Sequence, residues 1–366
     1  MQPRARFIMV GGFLGAGKTT ALGALARHFN DQGKRVGLIT NDQAENLVDT
    51  LNLRSQGFSV EEIAGGCFCC RFNSLTEAAD KLSQEHRPDV FLGEPVGSCT
   101  DLLATVAIPM KRLFGEQFDV APLTVLVDPM RALKILTNQR RGGFSPKVAY
   151  IYKKQLEEAD AIAINKSDIL DDDALSELKN LLAEQYPGKR VFTFSARNGQ
   201  DLGPWFDFAS LETMDWQKTM DMDYDIYADG EAELGWLNSA FKVQAENDFD
   251  PNRLLSEIAA IMQQRMIESE QEIAHLKMTL MSGMDIGFIS LVRNDAVAEL
   301  SQEIQGKLQE AEVTLNARAH IAPEELQGMA EEAISEACRN QHLDSEILST
   351  QAFKPARPEP IHRMSS

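Results

Sequence analysis

The sequence predicts an α/β chain in two parts, a doubly wound, mainly parallel sheet followed by a smaller α+β domain. Three observations carry that prediction. Short, continuous apolar runs alternate with helical patterns as far as about Thr213, as buried parallel strands and their crossover helices require. A glycine-rich turn joins the first apolar run to the first helical pattern. The charge balance also changes along the chain: the net charge is −3 up to Glu212 and −16 from Thr213 onward, within a total of −19. At 366 residues the chain is long for one core, so two domains are expected.

The strand candidates of the first domain are Phe7–Val10, Val36–Thr40, Val90–Gly93, Leu123–Val127, Ala161–Ile164 and Val191–Phe194. In an open parallel sheet, ligand loops follow the carboxyl ends of such strands. Asp215–Glu233 is acidic and has little periodicity, which reads as a linker. Its Asp221, Asp223 and Asp225 have the spacing of a calcium loop, but Ile226 stands where that loop needs glycine and Ala232 where it needs glutamate.

In the second domain, Leu234–Val243 reads as a strand and Asn252–Gln271 as an amphipathic helix. Leu276, Met278 and Leu280 alternate with polar residues in a half-buried strand, and Gly287–Val292 is its hairpin partner. A short helix over Val297–Leu308, a strand carrying Val313, Leu315 and Ala317, and a helix from Pro323 to about Arg339 complete the pattern. That order suggests a ferredoxin-like unit. The expected boundaries are 1–212, a linker at 213–233, 234–350, and a disordered tail at 351–366 that holds three prolines and few large apolar groups.

Composition excludes some partners. A net charge of −19 argues against nucleic acid and anionic membranes. No apolar run is long enough to span a bilayer, and no long apolar segment precedes the glycine-rich turn, so a cytoplasmic location is expected.

The chemistry starts at Gly12-Phe13-Leu14-Gly15-Ala16-Gly17-Lys18-Thr19-Thr20, a G-x-x-x-x-G-K-T run between strand and helix. Glycines let the backbone wrap a polyphosphate, and N–H groups at the helix start point at it. Lys18 is expected on the β- and γ-phosphates and Thr19 on Mg²⁺. Glu94, after the strand Val90–Gly93, is the expected Mg²⁺-side carboxylate, with the Gly97 N–H near the γ-phosphate; Asp42 is a second candidate for metal or water positioning. Asn165-Lys166-Ser167-Asp168 follows another strand, where the Asp168 carboxylate suits guanine's N1–H and amine. Ser195 and Ala196, after the next strand, fit a backbone clamp on the base. The nucleotide expected is GTP.

Gly65-Gly66-Cys67-Phe68-Cys69-Cys70 crowds three thiols after a tight glycine turn. Close thiolates are soft ligands that suit Zn²⁺, Co²⁺ or Cu(I), and three of them leave a fourth position open for exchange. A redox role and a simple core role are the other readings of these cysteines. Cys99 and Cys338, each taken alone, read as core residues. The six histidines show no ligand spacing.

Together these residues resemble the CobW-type GTPases of the CobW/HypB/UreG family of P-loop metallochaperones. The resemblance rests on the phosphate loop, Glu62 with Gly66-Cys67-Phe68-Cys69-Cys70, Glu94-x-x-Gly97, Val127-Asp128, Gln155-Leu156 with Ala159-Asp160, and Asn165–Asp168. It implies slow intrinsic hydrolysis of GTP with Mg²⁺, a transition metal (Zn²⁺ or Co²⁺) on Cys67, Cys69 and Cys70, and a client metalloenzyme. A nucleotide-dependent homodimer is a further expectation. The alternative is a GTP-gated chaperone of a corrinoid-type enzyme that carries no metal itself. Departures from the family pattern are Asn41-Asp42 in place of an Asn-Glu pair, Ser98-Cys99-Thr100 after Gly97, and the absence of a histidine-rich stretch.

Overall fold

Strand β1 (Ala5–Gly12) runs through the centre of the first sheet and is buried along nearly its whole length. Its even-numbered side chains Ile8 and Val10 pack with Leu22, Leu25 and Phe29 of helix α1 (Lys18–Asp31) on one face. On the opposite face, Phe7 meets Phe118 edge-on at 6.0 Å. Coverage on both faces explains why the run carries no polar alternation. The structure is a computed structural model that describes residues 4–41, 48–137, 143–216 and 219–364. Asp42 therefore lies outside the described residues.

Two compact units are present. The first comprises Met1–Arg140, Ser145–Ala228 and Pro358–Ser366; the second comprises Arg141–Phe144 and Asp229–Arg357. In chain order the first unit continues with β2 (Val36–Asn41), α2 (Val48–Ser55), β3 (Ser59–Ile63), α3 (Phe72–Glu85), β4 (Val90–Glu94), α4 (Ile108–Phe114), β5 (Phe118–Val120) and β6 (Thr124–Val127). It then adds α5 (Pro129–Leu136), α6 (Pro146–Glu158), β7 (Ala161–Ile164), α7 (Asp172–Gln185), β8 (Arg190–Thr193) and α8 (Gly203–Leu211). The sheet order is β3-β2-β4-β1-β6-β7-β8, with β5 also pairing β1. Each of these pairings is parallel. The six expected strands are all present. Strands β3 and β5 are additions: β3 is an edge strand reading Ser-Val-Glu-Glu-Ile, only partly buried, and its adjacent glutamates break the apolar signature.

Within the segment expected as a linker, helix α9 (Tyr224–Ala232) forms. Asp223 explains where it begins: its Oδ1 accepts the N–H of Asp225 at 2.9 Å and of Ile226 at 3.0 Å. A carboxylate that satisfies the orphan donors of a first turn is an N-cap.

The second unit contains β9 (Gly235–Phe249), α10 (Pro251–Glu268), β10 (Glu272–Ser282), β11 (Asp285–Leu291), β12 (Glu299–Gln302), β13 (Leu308–His320), α11 (Pro323–Asn340) and β14 (Asp344–Phe353). Its sheet order is β12-β11-β10-β13-β9-β14, antiparallel throughout. The subset β14-β9-β13-β10, with α10 and α11 as the connections, has the spatial order of a ferredoxin-like βαββαβ unit. Strands β11 and β12 extend that unit at the β10 edge. Helices α10 and α11 supply Leu254, Ile258, Met262, Leu326, Ala333 and Ile334 to one core with Phe241, Met278 and Leu315 of the sheet.

Two expectations are corrected here. The helix expected over Val297–Leu308 is instead β12 with irregular flanks. Ala296, Ala298 and Leu300 pack against the core at a spacing of two while Val297 is exposed, so the strand period wins over the helical one. Of the tail expected to be disordered at 351–366, the first three residues instead complete β14, an edge strand paired along β9 from Asp344 to Phe353.

Candidate functional site

The candidate site lies at the carboxyl edge of the parallel sheet, built by the loops after β1, β3, β4, β7 and β8 together with the end of β2 and the first turn of α2. Gly12, Gly15 and Gly17 have φ of 133°, 79° and 88°. A Cβ at Gly12 would lie 2.5 Å from Leu126 O, and one at Gly17 only 2.4 Å from the Asn165 amide nitrogen. Only glycine fits either position. Lys18 Nζ donates to Gly12 O at 3.0 Å, so the lysine lies across its own loop. Gly97 abuts the same loop, where a Cβ would stand 3.0 Å from Leu14 N. Thr20 is exposed on the first turn of α1.

Thr19 Oγ1 lies 2.9 Å from Glu94 Oε1 and 2.8 Å from Asp49 Oδ1. Glu94 comes from the end of β4, as expected. Asp49, in the first turn of α2, is a residue that sequence reasoning missed. An acidic residue opening a helix after the second strand was the available signal, but nothing in the spacing ties it to Thr19. Three hard oxygen donors converge there, the donor set that Mg²⁺ takes.

Asn165 joins three loops. Its amide donates to Ala16 O at 2.9 Å, and its Oδ1 accepts Ala196 N at 3.0 Å and Lys166 N at 2.8 Å. Lys166 adopts a left-handed φ of 56° and its ammonium bonds Gly15 O at 2.7 Å and Asp128 Oδ2 at 3.0 Å. Asp168 is exposed on the following turn, while Ser195 is buried and accepts Asn198 N at 3.3 Å. The phosphate loop and the two expected base-recognition loops are thus stitched into one surface.

The cysteines occupy the turn between β3 and α3. Gly65 and Gly66 have φ of 78° and 150°, and Cys67 O accepts the N–H of both Cys70 and Arg71 at 3.0 and 2.9 Å. The turn brings Cys67 Sγ to 2.7 Å from Cys69 Sγ and 3.3 Å from Cys70 Sγ, with Cys69 and Cys70 3.6 Å apart. Among the described residues this is the metal-competent cluster of histidine, cysteine and carboxylate side chains. Hydrogen bonds from its neighbours, chiefly Cys69, hold the Cys67 thiol well below its ordinary range. The same contact, seen from Cys69, pushes that thiol well up, and Cys67 pushes Cys70 up to about 12. One sulfur of the three therefore gives up its proton first, and the donor set is soft and suits Zn²⁺ or Co²⁺.

The cysteine turn and the phosphate-side residues share their supports. Asn41, at the end of β2, donates its amide to Ile63 O at 2.9 Å and Gly66 O at 2.6 Å. In the same strand Thr40 pairs with Glu94 of β4. Phe68, buried between the cysteines, packs against Gly93, where a Cβ would lie 3.3 Å from its ring.

The family model of the CobW/HypB/UreG nucleotide-binding domain matches residues 6–193, more than half of the chain. The chain belongs to the CobW/HypB/UreG family. The matched stretch takes in the phosphate loop, Glu94, the cysteines and Asn165–Asp168 of this family member. The chain is 30% identical over 166 residues to the zinc chaperone YeiR of Escherichia coli, covering 44% of this chain and 46% of that one. It is 27% identical over 213 residues to the zinc chaperone CobW of a Sinorhizobium species, covering 52% and 59%. It thus spans about half the length of the curated relatives it matches. Among solved structures, HypB from Helicobacter pylori in complex with nickel is 22% identical with a TM-score of 0.41, covering 56% of this chain and 85% of that one. Zn(II)-bound YjiA GTPase from E. coli is 14% identical with a TM-score of 0.37, covering 91% and 99%.

Proposed function

We propose that this chain is a GTP-hydrolysing metallochaperone that carries a transition metal on Cys67, Cys69 and Cys70 and passes it to a client metalloenzyme. The observation that carries the reading is the shared support of two sites. The ends of β2 and β4 hold the cysteine turn through Asn41 and Phe68, and β4 also presents Glu94 to Thr19. A change at the γ-phosphate side therefore has a short physical path to the sulfurs.

In this reading the loop amides and Lys18 bind the phosphates, with Gly97 close to the γ-phosphate. Thr19, Glu94 and Asp49 are the residues that would hold Mg²⁺, and Mg²⁺ bound there supplies charge neutralisation on the β- and γ-phosphate oxygens. Asp42, the residue after Asn41 in the sequence, remains a proposed second carboxylate. Asp168 reads guanine, whose paired donors match a carboxylate, and Asn165, Lys166, Ser195 and Ala196 shape its pocket. The metal is cargo: three thiolates hold it and leave a coordination position for transfer. The zinc chaperones among its relatives favour Zn²⁺ as that cargo. We place this work in the cytoplasm, where thiols stay reduced. No helix among the described residues is long and apolar enough to cross a membrane.

The three converging sulfurs favour this reading over a chaperone that carries no metal. Replacing Cys67, Cys69 and Cys70 together by serine tests it. The expected result is loss of stoichiometric Zn²⁺ binding with GTP binding retained. Undiminished Zn²⁺ binding by the triple variant would remove the basis for the proposal.

A further inference from the structure

Residues 359–364 lie against the cysteine turn, far from it in sequence but part of the same compact unit. The N–H of Glu359 donates to Cys70 Sγ at 3.3 Å, and that of Ile361 donates to Cys69 O at 3.0 Å. Two further residues tie the segment to the stretch that follows β4. The N–H of Met364 donates to Ala104 O at 2.8 Å, and Arg363 Nε lies 2.8 Å from Oδ2 of Asp101. That carboxylate is 1% exposed and also accepts the Tyr224 hydroxyl at 2.8 Å. Arg363 Nη2 donates to Met220 O at 3.2 Å, and the His362 ring stands edge-on to the buried Phe72 at 4.9 Å.

Burial shows which side of the sulfurs the segment covers. Cys67 and Cys69 are buried, whereas Cys70 is half-buried. Solvent therefore reaches the cluster past Cys70, the sulfur on which the Glu359 N–H sits. An incoming donor that takes a metal from thiolates needs an open coordination position, and its approach is from that side. We propose that 359–364 is a strap that closes the cysteine site and has to lift before metal enters or leaves. The inference rests on the metallochaperone reading and gives that site its gate.

The composition of the strap suits docking and release. Pro358 and Pro360 each fix a φ angle and restrict the residue before them, so less backbone freedom is lost on docking. The hold is mainly polar: Glu359 and Arg363 are exposed and Ile361 is 44% exposed. A segment with few buried apolar contacts opens at far lower cost than the fold that carries it. Its firmest tether is Arg363 on Asp101, because a hydrogen bond between two charged groups is stronger than one between backbone groups.

Two variants of the full chain test the strap. Arg363→Ala removes the tether, and Ile361→Pro removes the N–H that Cys69 O accepts. Cys70 alkylation is followed by mass spectrometry on the apoprotein, and Zn²⁺ release to a chelator on the loaded protein. Both rates should rise about tenfold in each variant, with fluorescent GDP binding unchanged. A wild-type rate of alkylation or of Zn²⁺ release in either variant overturns the strap. Loss of GDP binding in both variants also counts against it, since the fold and not the strap has then opened. A wild-type chain that takes up no Zn²⁺ overturns the metallochaperone reading instead, and the alkylation rates still decide whether 359–364 covers the cysteines.

Discussion

Asn165 shows how much of this site depends on one side chain. Its carboxamide satisfies Ala16 O of the phosphate loop and Ala196 N of the last loop, both on buried residues, and its amide nitrogen occupies the space that a Cβ at position 17 would need. Asn165→Ala leaves two buried backbone groups without partners, at a cost of roughly 2–4 kcal/mol. Thermal unfolding should show it as a clear fall in Tm, together with weaker GTP binding. A Tm within a degree of wild type would contradict the role assigned to this residue. Asn165 could be singled out in the sequence because an Asn-Lys-x-Asp run directly follows an apolar strand. Asp49 could not, because its contact with Thr19 spans α1 and β2 and exists only once the chain has folded.

Helix α6 illustrates the scale of elements. It ends at Glu158, buried, whose carboxylate accepts Leu103 N and Thr100 Oγ1, each at 3.1 Å. Burial pushes this carboxyl up to about 8 from an ordinary 4.5. Between those values the folded chain holds a proton that the unfolded chain has lost, so stability is fully present below about pH 4.5 and declines as pH rises to about 8. Glu158→Gln removes that dependence. Denaturant unfolding should find the variant gaining at least about 1 kcal/mol on wild type between pH 5 and pH 8. A constant difference across the range would show that Glu158 does not titrate this way. Elements with a strong signature, such as the continuous apolar run of β1 and the helical period of α10, could be read directly from the chain. The strand β12 could not, because the short Ala296-Ala298-Leu300 alternation that leads into it overlaps a plausible helical pattern and only the open edge of β11 decides between them. Strand β14 was hidden for a related reason, being mostly exposed and polar and recruited by the free edge of β9.

For the whole molecule, the sequence pointed to a nucleotide unit because its chemistry recurs at strand ends in fixed order. The second unit was readable only as a succession of elements, and its ferredoxin-like order emerges once β11 and β12 are recognised as an extension of that unit. The strong acidity of the chain beyond Thr213 marks where the composition changes but specifies no ligand. The central claim is that nucleotide state and metal affinity are coupled, through the shared supports on β2 and β4. Zn²⁺ affinity of the full chain, measured by chelator competition with a Mg²⁺-bound non-hydrolysable GTP analogue and again with Mg²⁺-GDP, tests that claim most directly. The account predicts affinities that differ by at least about tenfold, with the same ratio returned in nucleotide affinity with and without Zn²⁺. Equal Zn²⁺ affinities in the two nucleotide states would contradict it.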